Sequence, residues 1–165
     1  MTSLLNGYVI DTDAILHLVK RQYPKKVFLS LHDNIDNLIN QGCLVSCAEV
    51  LNELEAAGIH IPGDDPVLEW AHMHNGIFQE LNPTAEEILA DIMENHPDLV
   101  KTKSGSGFDA DAMLIAVAAE KGWKLITYEN RAGAASKEKI PNVADAYSVE
   151  CILLPKAFEE LGWKI

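Results

Sequence analysis

GYVID, residues 7–11, is a short apolar, β-favouring run that ends in an acid, the pattern of a buried strand delivering a carboxylate to a sheet edge. Ile15, Leu16, Leu18 and Val19 follow at helical spacing. Pro24 breaks that helix before a second one, whose stripe is Phe28, Leu31, Ile35, Leu38 and Ile39 and whose stop is Gly42. CLV at 43–45, set between two helices, is read as the second strand. Ser46 and Glu49 fit a capping box, the hydroxyl capping an amide three residues on and the carboxylate reaching back. A helix is therefore expected from about Cys47 to Ala57, with Gly58 after its end.

Further along, Asp65 and Pro66 suit the N-cap and first turn of a helix running through His74. Thr84 and Glu87 make a second capping box before Ile88, Leu89, Ile92 and Met93, and both helices are expected outside the sheet. KTKSGSG at 101–107 is a small, polar, basic loop. Asp109 or Asp111 then opens the helix AMLIAVAAEK, closed by Gly122. WKLIT at 123–127 gives a third strand and ECILL at 150–154 a fourth. IPNVADAYSV forms a short helix between them, and PKAFEEL a terminal helix stopped by Gly162. Strands alternating with helices predict an α/β fold, a three-layer αβα sandwich with a mostly parallel central sheet.

The 165 residues (18.2 kDa), 48% hydrophobic and 23% charged, suit one packed domain, with an acidic helical segment at about 59–100 and no repeat or linker. The longest apolar stretches, such as MLIAVAA at 113–119, fall short of the roughly 20 residues of a membrane span, so no membrane association is expected. The N-terminus lacks the basic and long apolar regions of an export signal. Cys43, Cys47 and Cys151 do not make a disulfide framework, and these features together predict a cytoplasmic protein.

Net charge is -12, which on its own disfavours a nucleic-acid partner. The charge is nevertheless segregated. Residues 27–100 contain no Lys or Arg and 14 acids, whereas the remainder has 13 basic residues against 11 acidic ones. In a parallel α/β sheet the site lies beyond the carboxyl ends of the strands. The acids collect there: Asp11 and Asp13 after strand one, Glu49 and Glu53 after strand two, Asp109 and Asp111 before strand three, and Glu129 after it. Carboxylates converging in one crevice repel one another and stay ionised together only with a cation among them. Such hard oxygen ligands suit Mg²⁺ or Mn²⁺, and with them phosphate chemistry.

YVIDTDAIL (8–16), LVSCAEVLNELEA (44–56) and FDADAMLIAVAAEKGWKLITYEN (108–130) resemble, in order and spacing, the four acidic motifs of the PIN-domain superfamily. These are metal-dependent ribonucleases that include many toxins of bacterial toxin–antitoxin pairs. The likeness covers nearly the whole chain, and the length, the acidic insert and the ending IPNVADAYSVECI are similar to a PIN-like branch longer than the shortest toxins. Position by position, the resemblance implies Asp11, Glu53, Asp111 and Glu129 as catalytic metal ligands for Mg²⁺ or Mn²⁺. Glu49 competes with Glu53 for the second place, and Asp109 with Asp111 for the third. Thr12, Asp13, Ser46 and Asn130 would support the ligands, although helix capping is the simpler role for Asp13, Ser46 and Glu49. Asn130 is also an alternative to Glu129.

Lys101, Lys103 and Arg131 are candidates for holding substrate phosphate, with Lys137 and Lys139, and further off Lys20, Arg21, Lys25 and Lys26, extending the same bank. His72 and His74 are two apart and point to different sides of a helix, so they make no zinc pair. The resemblance implies an endoribonuclease acting on single-stranded RNA and leaving 5′-phosphate and 3′-hydroxyl ends, a homodimer, and a protein antitoxin. The rival readings are a non-catalytic PIN-like module that binds RNA or a protein, and a phosphatase of the haloacid-dehalogenase kind. The latter is suggested by DTD at 11–13, but its motif order does not match this chain.

Overall fold

The computed structural model describes residues 6–57, 65–100, 110–129 and 139–165. At its centre is β1 (Tyr8–Ile10), all three residues buried, with Val9 and Ile10 fully so. Parallel to it on one side runs β2 (Leu44–Cys47), then β3 (Phe78–Gln79); on the other side run β4 (Lys124–Ile126) and β5 (Cys151–Ile152). The order is β3-β2-β1-β4-β5, every pairing is parallel, and Val9 sits opposite both Val45 and Leu125. Parallel neighbours need crossover connections. Helices supply them here, giving the expected three-layer αβα arrangement.

Helix α1 (Thr12–Leu16) continues as a π-helical turn over His17–Arg21, and Ala14, Ile15, Leu18 and Val19, at helical spacing, all reach the core. Helix α2 (Leu29–Asn40) buries Leu31, His32, Ile35 and Leu38, and ends at Gly42, whose φ of +74° suits a residue without a Cβ. From β2 the chain enters α3 (Ala48–Ala57); α4 (Pro66–Met73) starts at an Asp65 N-cap as expected and leads to β3. The return to the other side of β1 passes through α5 (Pro83–Asn95), α6 (Pro97–Val100) and α7 (Ala110–Lys121). Buried residues occur all along α7, from Ala110 to Ala118, because it packs against α5 as well as β1, β2 and β4; its four buried alanines allow close approach. Helix α8 (Ile140–Ala146) bridges β4 to β5, and α9 (Leu154–Glu160) closes the described fold.

Three expectations need correction. Strand β3 is absent from the sequence reading: two residues are too few for an alternation to register, and pairing with Ser46 and Cys47 is what defines them as a strand. Helix α5 begins at Pro83 rather than at a Thr84–Glu87 capping box, since Asn82 is the N-cap and its side chain accepts the Ala85 amide at 2.9 Å. The Ser46–Glu49 capping box does not form, because β2 extends through Ser46 to Cys47.

Candidate active site

The chain moves outward from β1 to β2 and β3, then returns to place β4 on the opposite flank of β1. The carboxyl ends of β1 and β4 therefore bound the switch point of the sheet, where such folds open a crevice. Asp11 is the first residue past β1 and Thr127 the first past β4; the Asp11 amide donates to the Ile126 carbonyl at 3.1 Å, carrying the ladder up to the site. Asp11 is only 4% exposed. Its Oδ1 accepts the Ala14 amide at 2.7 Å, so Asp11 is the N-cap of α1. This corrects the expectation that Asp13 caps; Asp13 lies in the first turn and pairs with Arg21 at 2.8 Å.

Burial pushes the Asp11 carboxyl up to about 7 from its ordinary 3.8, and the charges of Asp13 and Glu129 add to the rise. Hydrogen bonds from the Thr127 hydroxyl and the Ala14 amide offset only part of it. Thr127 is itself buried and does not figure among the residues the sequence singles out. Its Oγ1 also accepts the Glu129 amide at 3.2 Å, so one hydroxyl positions both Asp11 and the turn after β4.

Thr12 donates from Oγ1 to Glu53 Oε2 at 2.6 Å, tying the start of α1 to the second turn of α3. Of the two acids competing for the second position, Glu53 is thus the one joined to the Asp11 segment. Glu49 accepts from Asn52 Nδ2 at 3.1 Å and lines a cleft instead. Ser46 donates to the Ile10 carbonyl at 2.7 Å, fully buried between adjacent strands. It braces the residue before Asp11 and contacts no carboxylate in doing so. The amides at the start of α3, of Glu49 and Val50, are met by the buried Cys47 thiol, whose pKa burial pushes up to about 12.

Glu129 is exposed, and its Oε2 accepts the Ile140 amide at 3.1 Å, satisfying the first turn of α8. Asp111 is half-buried in the first turn of α7, where its charge complements the helix dipole. Asp109, Asn130, Lys101, Lys103, Arg131 and Lys137 lie outside the described residues; Lys139 is the exposed N-cap residue of α8. Among the described residues, no three His, Cys, Asp or Glu side chains are grouped to hold a metal ion. His72 and His74 diverge as expected, pairing with Glu55 and Asp36 respectively, each at 3.2 Å.

A second group, also missing from the sequence reading, stands beside the acids. His17 stacks on Tyr128 with ring centroids 3.9 Å apart, and its Nε2 lies 3.8 Å from Asp13 Oδ2. The i,i+4 spacing of Asp13 and His17 is readable in the sequence, but the Tyr128 stack is not, because it depends on the segment after β4. A cleft of about 470 Å³ lies alongside, between Glu49 and Asn52 of α3, Glu80 and Leu81 after β3, α5, and Met113 of α7. Asp11, Glu53, Asp111 and Glu129 are not part of its lining, so the cleft is distinct from these acids.

A family model described as a domain of unknown function, DUF4411, matches residues 8–165. No curated protein and no solved structure matches the chain. Among the described residues, no helix is long and apolar enough to cross a membrane.

Proposed function

The chain belongs to the DUF4411 family, and we propose that it is a PIN-like, Mg²⁺- or Mn²⁺-dependent endoribonuclease acting on single-stranded RNA. The observation that carries this reading is Asp11, a carboxylate buried at the switch point and raised by its burial and by its acidic neighbours. A divalent ion relieves that arrangement, and carboxylate oxygens are the hard donors such ions take. The resemblance makes Asp11, Glu53, Asp111 and Glu129 the residues that would hold it, although these described side chains are not grouped as three ligands. Once bound, the ion supplies Lewis acidity toward a phosphodiester oxygen.

The chain's own groups fix the ligands. Thr127 and the Ala14 amide orient Asp11, Thr12 holds Glu53, and Ser46 pins the Ile10 carbonyl immediately before Asp11. The same reading makes the protein a cytoplasmic homodimer and the toxin of a toxin–antitoxin pair. Its test is incubation with a mixed-sequence single-stranded RNA and Mn²⁺. The wild type should release fragments with 5′-phosphate ends, and Asp11→Asn should lower the rate at least 100-fold; equal rates would overturn the reading.

One observation favours a second reading, a PIN-like module that binds RNA or a protein without cutting. The Glu129 carboxylate is already engaged by the Ile140 amide, and the described acids do not close into a three-ligand group. Metal affinity separates the two readings.

A further inference from the structure

Away from the sheet-edge acids, a cleft of about 540 Å³ opens between the π-helical turn, the segment leading into α2, and α4. Its volume lies in the range of small-molecule sites and is far larger than a bare anion needs. Lys20, Lys25 and Lys26 line it, and all three are exposed and make no ion pair among the described residues. With Arg21, which is committed to Asp13, they are the only basic residues before position 101. Of the two acids on the lining, Asp36 is engaged by His74 Nε2 at 3.2 Å, leaving Glu69 against three lysines.

The opposite wall is aromatic and apolar. Trp70 is 7% exposed and its Nε1 is buried with no hydrogen-bond partner; the His74 ring lies 4.9 Å from it. Met73, 65% exposed, is a large polarizable side chain left uncovered on the same rim. Ammonium groups on one bank suit phosphate oxygens, and an aromatic, apolar wall suits a flat ring.

We propose that this cleft binds a phosphorylated ligand of nucleotide size, its phosphate toward Lys20, Lys25 and Lys26 and its ring against Trp70, Met73 and His74. The assignment does not depend on the reading of the Asp11 site. The ligand is either a free nucleotide or one nucleotide unit of an RNA strand, which present the same chemistry to the cleft.

The test is calorimetric titration of the whole protein with AMP, GMP, CMP and UMP at low salt, without divalent metal. At least one should bind saturably, and Lys25→Glu/Lys26→Glu should weaken it at least tenfold. Asp11→Asn should leave it unchanged. A single-stranded oligoribonucleotide that displaces the mononucleotide identifies an RNA strand as the source, and one that does not identifies the free nucleotide. No saturable binding of any of the four, or equal affinity in the lysine variant, would overturn the proposal. Loss of binding in Asp11→Asn would overturn it too, by placing the ligand at the sheet edge.

Discussion

Asp11 carries opposed roles, since its carboxylate caps α1 while burial and two neighbouring acids disfavour its charge. Its protonation is therefore coupled to folding, and the sign follows from the upward shift. Between about pH 4 and pH 7 the native state holds a proton that the unfolded chain has lost, so stability falls as pH rises across that window and levels off above it. The rise from 3.8 to about 7 caps the effect at about 4 kcal/mol. Asp11→Asn keeps a side-chain oxygen for the Ala14 amide and removes the charge. Urea denaturation at pH 4.5 and 7.5 should accordingly show the wild type less stable at the higher pH and the variant nearly level; identical pH dependence in the two proteins would contradict the burial argument.

Glu129 is the other residue with two possible duties. Glu129→Gln can still accept the Ile140 amide, so thermal stability should change little. RNA cleavage should drop at least tenfold, as the loss of a ligand charge requires; an unchanged rate would reduce the residue to a cap of α8. Asp11 is legible in the sequence because an apolar strand ending in an acid has few other readings. Thr127 is not, because only the parallel pairing of β1 with β4 brings it beside Asp11. His17 is hidden for the same reason, its partner Tyr128 lying more than a hundred residues away.

At the scale of elements, the alternation of strands and helices is readable, and so are the stops at Gly42, Gly122 and Gly162, all with positive φ. The start of α3 is ambiguous because S-x-x-E describes both a capping box and a strand end followed by a helix. Cross-strand bonding of Ser46 to Ile10 decides between them, and that contact is not local. One close approach supports the junction of β1 and β4: a Cβ placed on Gly7 would lie 2.5 Å from the Trp123 ring. Gly7→Ala must displace that indole, which should cost about 1–3 kcal/mol, read as a lower denaturation midpoint. Gly76, where an added methyl would meet nothing within 4 Å, provides the control: Gly76→Ala should leave the midpoint nearly unchanged.

Over the whole molecule, a net charge of -12 is divided between two kinds of surface. The cleft beside the acids adds Glu49, Glu80 and Glu86 to an apolar floor, whereas Lys20, Lys25 and Lys26 gather at the other cleft. Segregation of these charges is visible along the chain, and the fold gathers the lysines and these three glutamates at separate clefts. The phosphate-holding residues expected near the acids, Lys101, Lys103 and Arg131, lie outside the described residues, so the functional reading rests on the carboxylates. The most direct measurement is a calorimetric titration of Mn²⁺ into the wild type and Asp11→Asn at pH 7.5. The account predicts saturable binding to the wild type that is lost in the variant. No binding to either protein, even with a nucleotide phosphate present to complete the coordination shell, would contradict the metallonuclease reading and leave the non-cutting module in its place.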